Sequence, residues 1–86
     1  MLLHLGGGFA VDSRRVVMLI DLTKHPSAAQ PLLETLTRRS AITRLPGDPA
    51  TLCLCHEGEE ITGIMSPIGL RSLRQRVADH AALSID

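Results

Sequence analysis

Val16-Val17-Met18-Leu19-Ile20 is the stretch on which the fold turns. It is apolar at every position, rich in β-branched residues and free of alternation, a pattern that suits a β-strand buried on both faces. Upstream, Leu2-Leu3-His4-Leu5 reads as a short strand, Gly6-Gly7-Gly8 as a turn, and Phe9-Ala10-Val11 as a second extended piece. Downstream, residues 21–26 break the strand. Ser27-Ala28-Ala29-Gln30 has capping-box spacing ahead of a helix, and Pro31, which disfavours helical geometry at Gln30, is expected to delay the first turn. Ala29, Leu32, Leu33 and Leu36 recur at helical spacing. Glu34 can pair with Arg38 one turn on, and Arg38 and Arg39 complement the negative end of the helix dipole.

Farther along, Ile42-Thr43-Arg44-Leu45 forms a short strand ended by the turn Pro46-Gly47-Asp48-Pro49. Thr51-Leu52-Cys53-Leu54-Cys55 and Ile61-Thr62-Gly63-Ile64-Met65 flank a turn around Glu57-Gly58 and read as a hairpin. Ser66-Pro67 offers a cap and then a proline at a favoured first helical position, and Leu70, Leu73, Val77 and Ala81 mark the buried face of a closing helix. The expected fold is α+β: a small mixed sheet with a β-hairpin, one mid-chain helix and one C-terminal helix, in a single domain over residues 1–86. No internal repeat, low-complexity stretch or linker interrupts it.

A core of this size supplies only about 3–5 kcal/mol without reinforcement. Cys53 and Cys55 are too close in sequence to close a useful disulfide loop. Hydrophobic residues nevertheless make up 44% of the 86 residues, with a mean hydropathy of +0.16, more apolar surface than so small a globule easily hides. A homo-oligomer is therefore expected. The start Met1-Leu2-Leu3-His4-Leu5 lacks a basic region and soon meets glycines, so it does not read as a signal peptide. The longest aliphatic run falls far short of the roughly 20 residues of a spanning helix. The expected location is cytoplasmic, with no membrane partner, and free thiols fit that reducing compartment.

Nine basic residues balance nine acidic ones, so net charge gives no general attraction to nucleic acid. The balance is uneven along the chain. Glu57, Glu59 and Glu60 fall in one segment, which leaves nine basic against six acidic residues elsewhere. With Phe9 the only aromatic residue, the chain lacks the stacking platforms that hold single-stranded bases. Duplex DNA needs none, because its affinity comes largely from Lys and Arg on phosphates. Eight of the nine basic residues are arginine, the type that also makes bidentate contacts. Arg71, Arg74 and Arg76 look like a solvated helix surface, and Arg38-Arg39 like helix C-terminal charge. Arg14-Arg15 stands in the short connection before the buried strand, where a rigid scaffold can present it to phosphate.

Other motifs are weaker. Cys53-Leu54-Cys55-His56 contains natural zinc ligands, but the two cysteines are expected on opposite faces of one strand and no second ligand pair appears. They are read as small buried thiols, free of metal. The glycine triplet leads into an extended segment instead of a helix, which argues against a phosphate loop. His4, His25, His56 and His80 are scattered and Ser13 lies in no nucleophile elbow. No catalytic site and no cofactor are expected.

His4-Leu5-Gly6, Phe9 with Val11, Arg14 ahead of the strand at 16–20 and Asp21 closing it together resemble the bacterial extracellular-matrix regulatory proteins of the RemA/RemB-like family, most closely the RemB-like branch. The turn at Pro46-Gly47, the hairpin, Ser66-Pro67 and a closing helix with Leu73 and Arg74 follow in the family's order. The resemblance implies a single RemB-like domain that assembles into a ring-like homo-oligomer. In the RemA-like branch such an assembly binds double-stranded DNA and regulates transcription of matrix (biofilm) genes. This chain departs from that branch at Gly47-Asp48-Pro49-Ala50-Thr51, where an arginine-rich segment would stand. The arginines beside the buried strand still match, Arg14 fitting the RemB-like pattern and Arg15 the RemA-like one. The leading expectation is a homo-oligomeric, DNA-associated regulatory protein with Arg14 and Arg15 on phosphate. The alternative is an oligomeric protein-interaction scaffold that does not bind DNA, and a small zinc protein using Cys53, Cys55 and His56 is a third class.

Overall fold

Backbone pairing organises the chain into two sheets, seen in a computed structural model that describes residues 1–76 and 83–85. A two-stranded antiparallel hairpin joins β1 (Leu2–Gly6) to β2 (Phe9–Asp12) through Gly7 and Gly8, both with the positive φ such a tight turn requires. The main sheet is mixed, in the order β4-β6-β5-β3-β7. Here β3 is Val16–Asp21, β4 Ile42–Arg44, β5 Thr51–Glu57, β6 Glu60–Ser66 and β7 Leu83–Ile85. Strands β3, β5 and β6 run antiparallel to their neighbours in that trio, while β4 adds to β6 and β7 to β3 in parallel. Helix α1 is Pro26–Arg38 and helix α2 is Leu70–Arg76. The expected α+β fold, with its hairpin, mid-chain helix and C-terminal helix, is the one observed. Among the described residues no helix is long and apolar enough to cross a membrane.

The sheet is covered on both sides, and the alternation of β5 shows how. Leu52 and Leu54 join Ile20 and Met65 on the side of α1, where Ala29 and Leu36 close the layer. Cys53 and Cys55 join Val16, Leu19 and Ile64 on the other side, beneath Leu3, Leu5 and Val11 of the β1–β2 hairpin and Leu70 and Leu73 of α2. Residues two apart on a strand share a face. The expectation that Cys53 and Cys55 point apart is therefore wrong: both are buried on one face, with their sulfurs 3.7 Å from each other. Strand β3 is less evenly buried than its apolar run suggests, with Val17 and Met18 partly exposed. Its register against β5 slips between Val16 and Met18, leaving Val17 as the extra residue of a β-bulge.

Both helix starts differ from the sequence reading. Helix α1 begins at Pro26 and not after Ser27, because a proline at the first helical position has no N–H to lose. Pro31 is then accommodated inside the helix, and the Thr35 hydroxyl donates to its carbonyl at 3.1 Å. Helix α2 begins at Leu70 and not at Pro67, because Ser66 is engaged elsewhere. Its hydroxyl donates to the Leu5 carbonyl at 2.5 Å and accepts from the Ile68 N–H at 3.1 Å, while the Thr51 hydroxyl donates to the Ile68 carbonyl at 2.7 Å. These bonds tie the hairpin, the main sheet and the approach to α2 together. Val77 and Ala81, expected on the closing helix, lie outside the described residues. Strand β7 was not anticipated.

Gly63 sets how closely α1 approaches the sheet. A Cβ there would meet the Leu36 Cδ1 at 2.7 Å and the Leu52 Cδ1 at 3.2 Å, so the missing side chain makes room for Leu36. Gly63→Ala should destabilise the protein by about 1–3 kcal/mol, as overpacking does. In urea denaturation, Gly63→Ala combined with Leu36→Ala should cost less than the two single losses together, since the second change vacates the space the first one fills. Additive losses would show that the contact does not limit packing.

Candidate nucleic-acid interface

The two arginines expected on phosphate sit on one 3-10 turn, Ser13–Arg15, between β2 and β3. Asp12 caps the turn, accepting the Arg14 backbone N–H at 3.0 Å. The same carboxylate takes the Arg14 side chain in a forked pair, Nε to Oδ1 at 3.2 Å and one terminal nitrogen to Oδ2 at 2.8 Å. Arg14 remains 76% exposed. The hydrogen bonds from Arg14, first its side chain and then its backbone N–H, hold the Asp12 carboxyl well below the usual carboxylate range, and Asp12 in turn raises Arg14.

Arg15 is placed differently. Its Nε donates to the His56 carbonyl on β5 at 2.9 Å, which fixes the turn to the main sheet. The side chain borders a groove of about 280 Å³ between the β1–β2 hairpin and the sheet, with Phe9, Cys55, Glu57 and Thr62. The turn thus holds Arg14 against β2 and Arg15 against β5. No ion pair among the described residues reaches Arg15, but Glu57 shares its groove.

Four of the six remaining arginines line two further grooves. Arg38, at the end of α1, and Arg44, on β4, line an open groove with Leu33 and Met65. Arg71 and Arg74 of α2 line another with Lys24 and Asp21. The sequence reading missed this last grouping, because Lys24 lies in the loop after β3 and nothing local links it to α2. Asp21 is occupied by its own loop, its Oδ1 accepting from the Thr23 hydroxyl at 2.5 Å, the Thr23 N–H at 2.8 Å and the Lys24 N–H at 3.2 Å. The Thr23 hydroxyl bond is the main cause of its lowered pKa, against the opposing effect of burial. Arg76 donates to the His4 carbonyl at 2.8 Å and so joins α2 to β1. The partner of Arg14 was legible in Asp12-Ser13-Arg14, a carboxylate two residues ahead of a guanidinium.

The cysteine pair lies next to Arg15. Cys53 and Cys55 are free thiols in mutual hydrogen-bond contact at 3.7 Å. That contact, followed by burial, raises Cys53; it lowers Cys55, to which Arg15 adds a smaller effect in the same direction while Glu57 and burial oppose it. Among the described residues no group of three or more His, Cys, Asp or Glu side chains converges as a metal cluster, and His56 is exposed, away from the buried thiols. Comparison with protein-family models, with curated proteins and with solved structures finds no match.

The Asp12–Arg14 pair predicts a pH signature. A carboxyl whose folded-state pKa is depressed contributes stability that is fully present above its unfolded value of about 3.9 and is lost as pH falls through that value toward the folded one. Asp12→Asn should therefore lower the urea midpoint at neutral pH, and the gap to the parent protein should narrow progressively below about pH 4. A gap unchanged across that range would mean that the ion pair adds nothing beyond the cap.

Proposed function

We propose that this chain is a homo-oligomeric regulatory protein of the cytoplasm that associates with double-stranded DNA, with Arg15 and Arg14 as phosphate contacts and control of extracellular-matrix genes as the process. The observation that carries the reading is the anchoring of the basic turn: Asp12 caps one end and the Arg15–His56 bond fastens the other to β5. A cation presented from a fixed base loses little freedom on meeting phosphate. The likeness of the segments around His4, Arg14 and Pro46 to the RemA/RemB-like family, whose RemA-like branch binds DNA, supports the same function. Oligomerisation is supported by the high apolar content of so short a chain and by β4, which pairs on one side only.

A second reading, an oligomeric protein-interaction scaffold that does not bind DNA, is favoured by one specific observation. Asp12 takes up the charge of Arg14, and Glu57 stands in the groove of Arg15, so the turn carries less free positive charge than its two arginines suggest.

Fluorescence anisotropy against generic duplex DNA across salt separates the two. On the DNA reading Arg15→Ala and Arg14→Ala each flatten the slope of log affinity against log salt by about 0.9. Sequence preference should change little, because phosphate contacts position a protein without specifying bases. A parent protein that leaves duplex DNA unbound even at low salt would replace this reading with the scaffold. Light scattering tests the assembly independently of DNA: a multiple of the 9.3 kDa chain mass is expected, and a concentration-independent monomer would refute it.

A further inference from the structure

We propose that Cys53 and Cys55 form a two-thiolate site for a soft monovalent metal ion, Cu(I), opening onto the groove between the β1–β2 hairpin and the main sheet. The inference stands apart from the DNA reading. It begins with the face shared by the two residues: their sulfurs lie 3.7 Å apart, and neither is committed to a disulfide. For metal–sulfur bonds of roughly 2.3 Å this separation corresponds to an S–metal–S angle of about 107°. Such an angle leaves room for a third, external ligand. Cys55 borders the groove of about 280 Å³, a volume several times the roughly 30 Å³ share of one water, and an external ligand would reach the ion from that side.

The choice of ion follows from the donor set and the charge. Two thiolates and no further clustered His, Cys, Asp or Glu among the described residues serve structural zinc poorly, since it takes four protein ligands. Soft sulfur donors select Cu(I). Binding would convert two thiols and one Cu(I) into a bis-thiolate complex of net charge −1, releasing two protons and changing no oxidation state. Arg15 lines the same groove and is held by its 2.9 Å bond to the carbonyl of His56, the residue after Cys55. Its positive charge compensates the complex, while Glu57, also on the groove, acts against it. The apolar side chains of Leu3, Leu5 and Leu19, in the same cluster as the cysteines, screen the inner side from water.

Anaerobic titration of the full chain with Cu(I) held by bathocuproine disulfonate tests the site. One equivalent should pass from chelator to protein, with two protons released per ion and a raised thermal midpoint, because an ion bound by the folded state stabilises it. Cys53→Ala and Cys55→Ala, small apolar replacements checked by circular dichroism, should each lose that equivalent. Should either variant fail to fold, X-ray absorption on the parent protein carries the test through a copper shell containing at least two sulfurs. The proposal is overturned by no uptake, by uptake that survives loss of either cysteine, by a sulfur-free shell, by a thermal midpoint that falls on binding, or by equimolar Zn(II) displacing the Cu(I).

Discussion

Strand β5 has to be covered on both faces, and the other elements are arranged around that demand. Its first five residues, from Thr51 to Cys55, are all buried, so neither the backbone nor the side chains can be satisfied by water. The backbone is met by β3 on one side and β6 on the other. Side chains are met by two unlike layers: leucines toward α1, and the smaller cysteines toward the hairpin and α2. The hydroxyls of Ser66 and Thr51 fasten the second layer through buried or partly buried hydrogen bonds, and no buried side-chain nitrogen or oxygen among the described residues lacks a partner. Such saturation matters in a small protein, where one orphaned polar group costs a large fraction of total stability.

The parts legible in the sequence are those whose signal is local. The hairpin of β5 and β6 announces itself through two apolar runs about a glycine turn, and the glycine triplet closes β1 on β2 as read. The two helices are legible in kind but not in their starting points. Ser27 resembles a cap, yet Pro26 is the better first residue; Ser66 resembles a cap, yet its hydroxyl is drawn to Leu5, 61 positions away in sequence. Strand β7 offers three residues and no turn chemistry to mark it, and it is a strand only because β3 has a free edge to pair with. The shared face of the cysteines was available from the period of a strand alone, and the sequence reading misjudged it.

For the candidate site, residue type was legible and available charge was not. Two adjacent arginines read as a basic pair, but the pair divides: one guanidinium is held by a carboxylate at its own turn and the other by a carbonyl 41 residues away. A forked arginine–carboxylate contact is geometrically specific even where solvent reduces its energetic worth. Any anion approaching this turn must compete with Asp12 for Arg14. It meets Arg15 in an orientation already set by β5. The basic grouping of Lys24 with Arg71 and Arg74 shows the opposite case, in which charges that look dispersed along the chain line a single groove.

The bulge at Val17 decides from which face of the sheet the preceding chain departs. Because Val17 has no partner across the ladder, Val16 lies on the cysteine side of the sheet, although regular pairing would turn it toward α1. Deleting Val17 would restore regular pairing with Val16 still opposite Cys55, on the face it already occupies. Drawing Val17 into the ladder would instead turn Val16 toward α1 and reverse every side chain before it relative to the sheet. Val16 would then leave the layer that covers Cys55, and the turn bearing both arginines would leave β5 from the other face. The unpaired residue is thus what lets the hairpin close over the cysteine side.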